Sequence, residues 1–178
     1  AAHMMAAAGA DLIDVGGEST RPGAAPIDAP EERRRVVPVL ERLARELAVP
    51  LSIDTMKAEV AAAALDAGAV IVNDVSGLDH DPRMARLAAE RRCGLVLMHM
   101  RGTPAHMAGR ASYVSVVDEV AAELAARLGR AVEAGVPVEA IVLDPGLGFA
   151  KRAEHSVELL ARLDAPVLAR LDRPWLVG

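Results

Sequence analysis

Aromatic side chains are almost absent: one Phe, one Tyr and one Trp in 178 residues. A core built from this sequence must therefore rely on Ala, Val, Leu and Ile, and there is no set of exposed rings on which nucleic-acid bases could stack. A single cysteine, Cys93, excludes an internal disulfide and fits a reducing compartment, so the cytoplasm is expected. Lysine is scarce too, and the formal net charge of −5 supplies no basic field for a nucleic-acid backbone. No apolar run reaches the roughly 18 residues of a membrane span. Residues 1–10 lack the basic start of a signal peptide and read as the tail of a helix. His3, His80, His106 and His155 show no metal-ligand spacing with Cys93, which argues against zinc. A small anionic ligand stays compatible with this charge, because a few local donors can hold one.

What the sequence does contain is apolar residues, 52% of the total, arranged in two alternating patterns. Short, nearly continuous apolar runs at 12–15, 51–53, 70–73, 95–99, 140–143 and 175–177 read as strands covered on both faces. Between them, residues 30–48, 57–67, 82–92, 114–134 and 153–163 carry helical periodicity. In the first of these, Val36, Val39, Leu40, Leu43 and Leu47 form the stripe, Asp28 is the expected cap, and Pro30 sits in the first turn. Gly68, Gly94 and Gly135 are expected helix stops. Repeated strand–helix units imply a parallel sheet with right-handed crossovers in one α/β domain, residues 1–178. Two architectures compete, an open doubly wound sheet and a closed barrel. About six strands alone suit the open sheet. The chain, however, begins inside a helix pattern and stops directly after a strand, so a barrel lacking its first strand and last strand–helix units is expected.

The polar residues collect at the carboxyl ends of these strands, where parallel α/β proteins bind ligands. The first strand runs into Gly16-Gly17-Glu18-Ser19-Thr20-Arg21-Pro22-Gly23, the second ends in Asp54-Thr55, and the third in Asn73-Asp74. The fourth ends in Met98-His99-Met100-Arg101-Gly102 and the fifth in Asp144-Pro145-Gly146-Leu147-Gly148-Phe149. Each has a plainer reading. Asp54 could cap the next helix, Asn73-Asp74 could form an Asx turn, and Asp144 could open a turn. His99 reads as a partly buried structural histidine, and Met98 and Met100 as packing. Gly146-Leu147-Gly148 lacks the third glycine of a dinucleotide fingerprint. Arg21 suits either solvent or a bound phosphate or carboxylate. Separate caps and turns account for these residues singly, but not for their shared end of the sheet.

Taken in order, these five strand ends resemble those of the dihydropteroate synthases, pterin-binding TIM (β/α)8 barrels. The resemblance covers essentially the whole chain. It implies condensation of 6-hydroxymethyl-7,8-dihydropterin diphosphate with 4-aminobenzoate, giving 7,8-dihydropteroate and pyrophosphate in folate biosynthesis. It further implies that Asp54, Asn73 and Asp144 hold the pterin edge, with Asp54 and Asp144 also catalytic, and that Val75, Met98 and Gly178 line the pterin pocket. Thr20, Arg21, Pro22 and Phe149 would serve the diphosphate and the aminobenzoate. The family's magnesium-binding Asn would precede Ala1, and its later Lys, Arg and His would follow Gly178. Magnesium is therefore expected as cofactor of the complete enzyme, a homodimer, and the 178 residues alone are expected to be inactive. Ala150 stands where the family pattern has Gly. The related alternatives are a methyltetrahydrofolate:corrinoid methyltransferase domain and a non-catalytic pterin-binding paralogue. The Glu18–Gly23 and Met98–Pro104 segments favour the synthase over the first.

Overall fold

A computed structural model of the chain describes residues 1–21 and 23–178. The order of elements is α1 (Ala2–Ala7), β1 (Ile13–Gly16), α2 (Ala29–Glu46), β2 (Leu51–Asp54), α3 (Ala58–Asp66), β3 (Ile71–Asp74), α4 (Met84–Arg91), β4 (Gly94–Met98), α5 (Val116–Glu133), β5 (Ile141–Asp144), α6 (Ala153–Ala161) and α7 (Pro166–Ala169). The five strands form one parallel sheet in sequence order. Each neighbouring pair is thus a parallel strand–helix–strand unit, the repeat of a TIM-type barrel left open.

Register decides which side chains share a face. Partners across a parallel ladder point the same way, as do residues two apart along a strand. Asp14 pairs with Ser52, Asp54 with Asn73, Asn73 with Val96, and Met98 with Asp144. These residues therefore lie on one face. The alternate residues Ile13, Leu51, Ile53, Val72, Leu95, Leu97, Ile141 and Leu143 lie on the other and pack into the main core with helix residues such as Val36, Leu40, Val120 and Leu124. Burial of this second face by short aliphatic side chains holds the layers together, at roughly 1.5–3 kcal/mol for each fully buried residue.

Local signals account for most boundaries. Asp28 Oδ1 accepts the Glu31 N–H at 2.9 Å, and Pro30 occupies the first turn of α2. Gly68 and Gly135 adopt φ of +108° and +97° after their helices, the left-handed stop that glycine permits. Gly94 is not a stop, because it opens β4; α4 ends instead with Arg92 in the left-handed region. Val39 leaves the expected stripe of α2 and is exposed beside a cavity lined by α1 and β1. The sixth expected strand is reduced to one parallel bridge between Leu143 and Trp175. Pro174 has no N–H to extend that ladder, and only the Leu143 and Leu176 amides donate across it. The chain has no helix long and apolar enough to cross a membrane among its described residues.

Candidate functional site

The polar face carries three regions: a carboxylate cluster at β1–β3, an apolar floor near β4, and a rigid loop after β5. At the first, Asp14 accepts Asn73 Nδ2–H at 3.0 Å on Oδ2, and the Ser52 hydroxyl donates to its Oδ1. That leaves Asn73 Oδ1 and Asp54 Oδ1 buried with no partner among the described residues. Two unsatisfied acceptors side by side cost a few kcal/mol unless a donor-bearing group occupies the space.

The charge around them is lopsided. Burial pushes the Asp54 carboxyl up to about 7, and Asp14, Glu32, Asp74 and Glu18 add to the shift. One cation answers this group: Lys57 Nζ bonds Glu32 at 2.6 Å and also donates to Glu18. Glu32, fully buried on α2, leaves its Oε1 unpaired. Gly17 permits the helix this close, since a Cβ there would sit 2.8 Å from Val36 Cγ1 and 3.0 Å from Glu32 Cγ.

The plainer readings divide sharply. Asp54 does not cap α3: the N-cap is Lys57, without a side-chain bond, and the Ala58 N–H goes to Asp81 Oδ2 at 3.0 Å. The Asx turn is made by Asp74, whose carboxylate takes the Ser76 N–H, the Ser76 hydroxyl and the Leu78 N–H at 2.6–2.9 Å. Asn73 is free of that duty. Asp144 does open a turn, its Oδ1 accepting the Gly146 N–H at 2.7 Å, while its other oxygen accepts no bond from the described residues. Burial raises its pKa, opposed by the Gly146 N–H and Lys151.

Val75 and Met98 pack with Met56, Met100, Met107 and Ala150 into a small apolar cluster, and Phe149 leans on it. Soft sulfur-bearing side chains suit a flat ring system. Thr20 is half-buried and Arg21 exposed, and neither side chain is hydrogen-bonded among the described residues. Pro22 lies outside the described residues. The loop that bears them meets the loop after β4 through Gly23 N–H to Pro104 O at 3.2 Å, over a cavity of about 230 Å³ lined in part by Glu18, Met56, Lys57 and His106. Gly178 is exposed, three residues past the bridge that joins Trp175 to β5. His99 is fully rather than partly buried.

Asp14 and Ser52 were not among the expected site residues, although their spacing two before Gly16 and Asp54 puts them on the same face. Glu32 and Lys57 carry no sequence signal beyond helical charge. No three His, Cys, Asp or Glu side chains gather to hold a metal ion among the described residues.

The family model described as pterin binding enzyme matches residues 1–178. The chain belongs to the pterin-binding enzyme family. It is 45% identical to the dihydropteroate synthase of Synechocystis sp., over 99% of this chain and 61% of that protein. The Thermus thermophilus dihydropteroate synthase in complex with 4-aminobenzoate superposes with a TM-score of 0.91 at 50% identity, covering 99% of this chain and 66% of that one. The Xanthomonas albilineans enzyme in complex with 7,8-dihydropteroate gives a TM-score of 0.86 at 41% identity, covering 99% and 61%. This family member thus spans about three fifths of the length of the Synechocystis and Bacillus subtilis dihydropteroate synthases.

Proposed function

We propose that the chain is the pterin-binding portion of a dihydropteroate synthase, and that Asp54, Asn73 and Asp144 hold the pterin. The observation that carries this is the pair of buried, unpartnered acceptors, Asp54 Oδ1 and Asn73 Oδ1, on one face with Asp144. An amino-pyrimidinone edge offers N–H donors that suit carboxylate and amide oxygens. Breaking the bond from the pterin methylene to the diphosphate sends its electron pair to the leaving oxygen and spreads positive charge over the ring. Asp54 and Asp144 stabilise that charge as it develops. The aniline nitrogen of 4-aminobenzoate forms the new C–N bond and then loses a proton. No protein nucleophile enters. Val75 and Met98 provide the apolar wall, Phe149 and Pro22 meet the aminobenzoate ring, and Thr20 and Arg21 face the anionic groups. The complexes of the Thermus and Xanthomonas relatives with 4-aminobenzoate and 7,8-dihydropteroate support this pairing of ligands.

We further propose that Gly178 borders the pterin pocket and that magnesium is held by residues beyond this set. The first barrel strand, the last strand–helix units and a homodimer contact are assigned to a longer form, in a cytoplasmic protein. The test is product formation from both substrates with magnesium, by this chain alone and by the chain extended to its relatives' length. Turnover by the extended form alone is expected. Pterin binding by the extended form without turnover would make it a non-catalytic paralogue, and methyl transfer to a cobalamin protein would overturn the assignment.

A further inference from the structure

One buried cation has no part in the chemistry above. Lys151 follows the loop after β5 and is 7% exposed. Its Nζ lies 2.8 Å from His99 Nδ1, 2.9 Å from Gly146 O, 3.1 Å from Phe149 O and 3.3 Å from His99 O. His99 Nε2 lies 3.0 Å from Glu123 Oε2 on α5. Burial raises the Glu123 carboxyl, but the bonds from His99 and Arg101 outweigh it and hold it at about 2. Glu123 is therefore an acceptor, which makes Nε2 the protonated nitrogen of a neutral His99 and leaves Nδ1 to accept from Lys151. Burial, lowering the His99 pKa to about 4, agrees with the neutral ring. The proton arrangement runs one way, from Lys151 through His99 to Glu123.

The loop after β5 is also fixed at two backbone amides, Gly146 N–H to Asp144 Oδ1 at 2.7 Å and Gly148 N–H to Ser156 Oγ at 3.1 Å. Gly146 presses on the His99 backbone so closely that a Cβ would fall 2.0 Å from His99 O. Ala150 is held at φ +50°, with its carbonyl accepting the Tyr113 hydroxyl at 3.0 Å, and Arg101 sits 4.0 Å over the Tyr113 ring. Asp144 belongs to the ladder of β5, whereas Phe149 lies in the loop itself and leans on the apolar cluster of Val75 and Met98.

We infer that Lys151 is a positioning residue for the second substrate: the Glu123–His99–Lys151 tie sets the loop that presents Phe149 to the aminobenzoate ring. This rests on the synthase reading above. The charged groups facing Lys151 are Asp144 on β5, Glu123 and Arg127 on α5, and Arg101 after β4. Burial, aided by Arg127, lowers its ammonium to about 7, while three carbonyl acceptors favour the charged form.

The test compares Lys151→Met and Glu123→Gln in whichever form of the protein turns over. Lys151→Met is expected to raise the KM for aminobenzoate about tenfold and to leave the KM for the pterin diphosphate within about threefold. Glu123→Gln, at a half-exposed position, is expected to act in the same direction more weakly, and the double variant to match Lys151→Met alone. Equal losses for both substrates, or additive effects, would overturn the role. Amide exchange in this chain gives a readout independent of turnover. The Gly148 and Phe149 amides, bonded to Ser156 Oγ and Gly146 O, are expected to lose protection in both variants while Leu143 keeps it. Unchanged protection overturns the tie. Lost protection, where even the unmutated extended form makes no product, sinks the synthase reading and leaves the tie standing.

Discussion

The two halves of the polar face are built on opposite terms. Around β1–β3, the carboxylates of Asp14, Glu18, Glu32 and Asp54 are met by Lys57, which bonds Glu18 and Glu32, and three buried acceptor atoms go unpaired among the described residues. Around β4–β5, Arg101, Arg127, His99 and Lys151 are each hydrogen-bonded to carboxylates or carbonyls. The first half is electrostatically incomplete and so favours a donor-rich ligand; the second holds its shape and, among the described residues, leaves open only one oxygen of Asp144, which belongs to the binding side. The difference separates binding surface from scaffold without reference to any relative.

The contrast can be broken first on the scaffold side. Arg127, 4% exposed, donates to Met98 O, Met100 O and Asp79 at 2.6–3.1 Å, so Arg127→Met strands two carbonyls and leaves Asp79 to Arg130 alone. Chemical denaturation is expected to show a loss of about 3 kcal/mol or more. On the binding side, Asp144→Asn removes a charged acceptor, and pterin binding or transition-state stabilisation is expected to fall by roughly 2–4 kcal/mol with little change in melting temperature. If the two variants instead behaved alike, the division between binding and scaffold would be wrong.

The incomplete half also sets a pH dependence. The Asp54 carboxyl titrates near 7 when folded and near 3.8 in its ordinary state, so between those values the folded protein holds the extra proton. Stability from this group is present below about pH 4 and is lost as pH climbs through 7. Asp54→Asn abolishes that loss. The variant is expected to be more stable than the unmutated chain by about 2 kcal/mol at pH 8, with the gain vanishing near pH 4 in parallel thermal melts. A gain that persisted at low pH would locate the effect in packing rather than charge.

The smallest expected effect concerns Ala150. Its left-handed φ of +50° costs roughly 1–2 kcal/mol, but its methyl is buried in the apolar cluster and contributes roughly 0.8 kcal/mol. Ala150→Gly relieves one and forfeits the other, and glycine adds chain entropy to the unfolded state. A change within about 1 kcal/mol of zero is expected by denaturation.

How far the sequence revealed this architecture follows from the range of each interaction. The five strands and their covering helices were legible because apolar runs, the Asp28 cap and the glycines at 68 and 135 act within a few residues. The sixth strand misled because Val177 and Trp175 favour a strand locally while Pro174 denies it a ladder. Asp54, Asn73 and Asp144 were legible as strand ends, yet only register shows that Asp54 and Asn73 are direct neighbours. Asp14 and Ser52 were hidden by reading their strands as uniformly apolar, when polar residues at every second position marked the inner face. The Lys151–His99 contact joins positions 52 apart and depends on how two loops lie against each other, which no local pattern encodes.

Calorimetric titration of a pterin into the unmutated extended protein and its Asp54→Asn/Asn73→Ala variant tests the account most directly. Those two side chains own the unpartnered acceptors on adjacent strands, so affinity is expected to fall about a hundredfold or more, equivalent to about 3 kcal/mol. A variant that bound the pterin as tightly as the parent would contradict the claim that these strand ends recognise it.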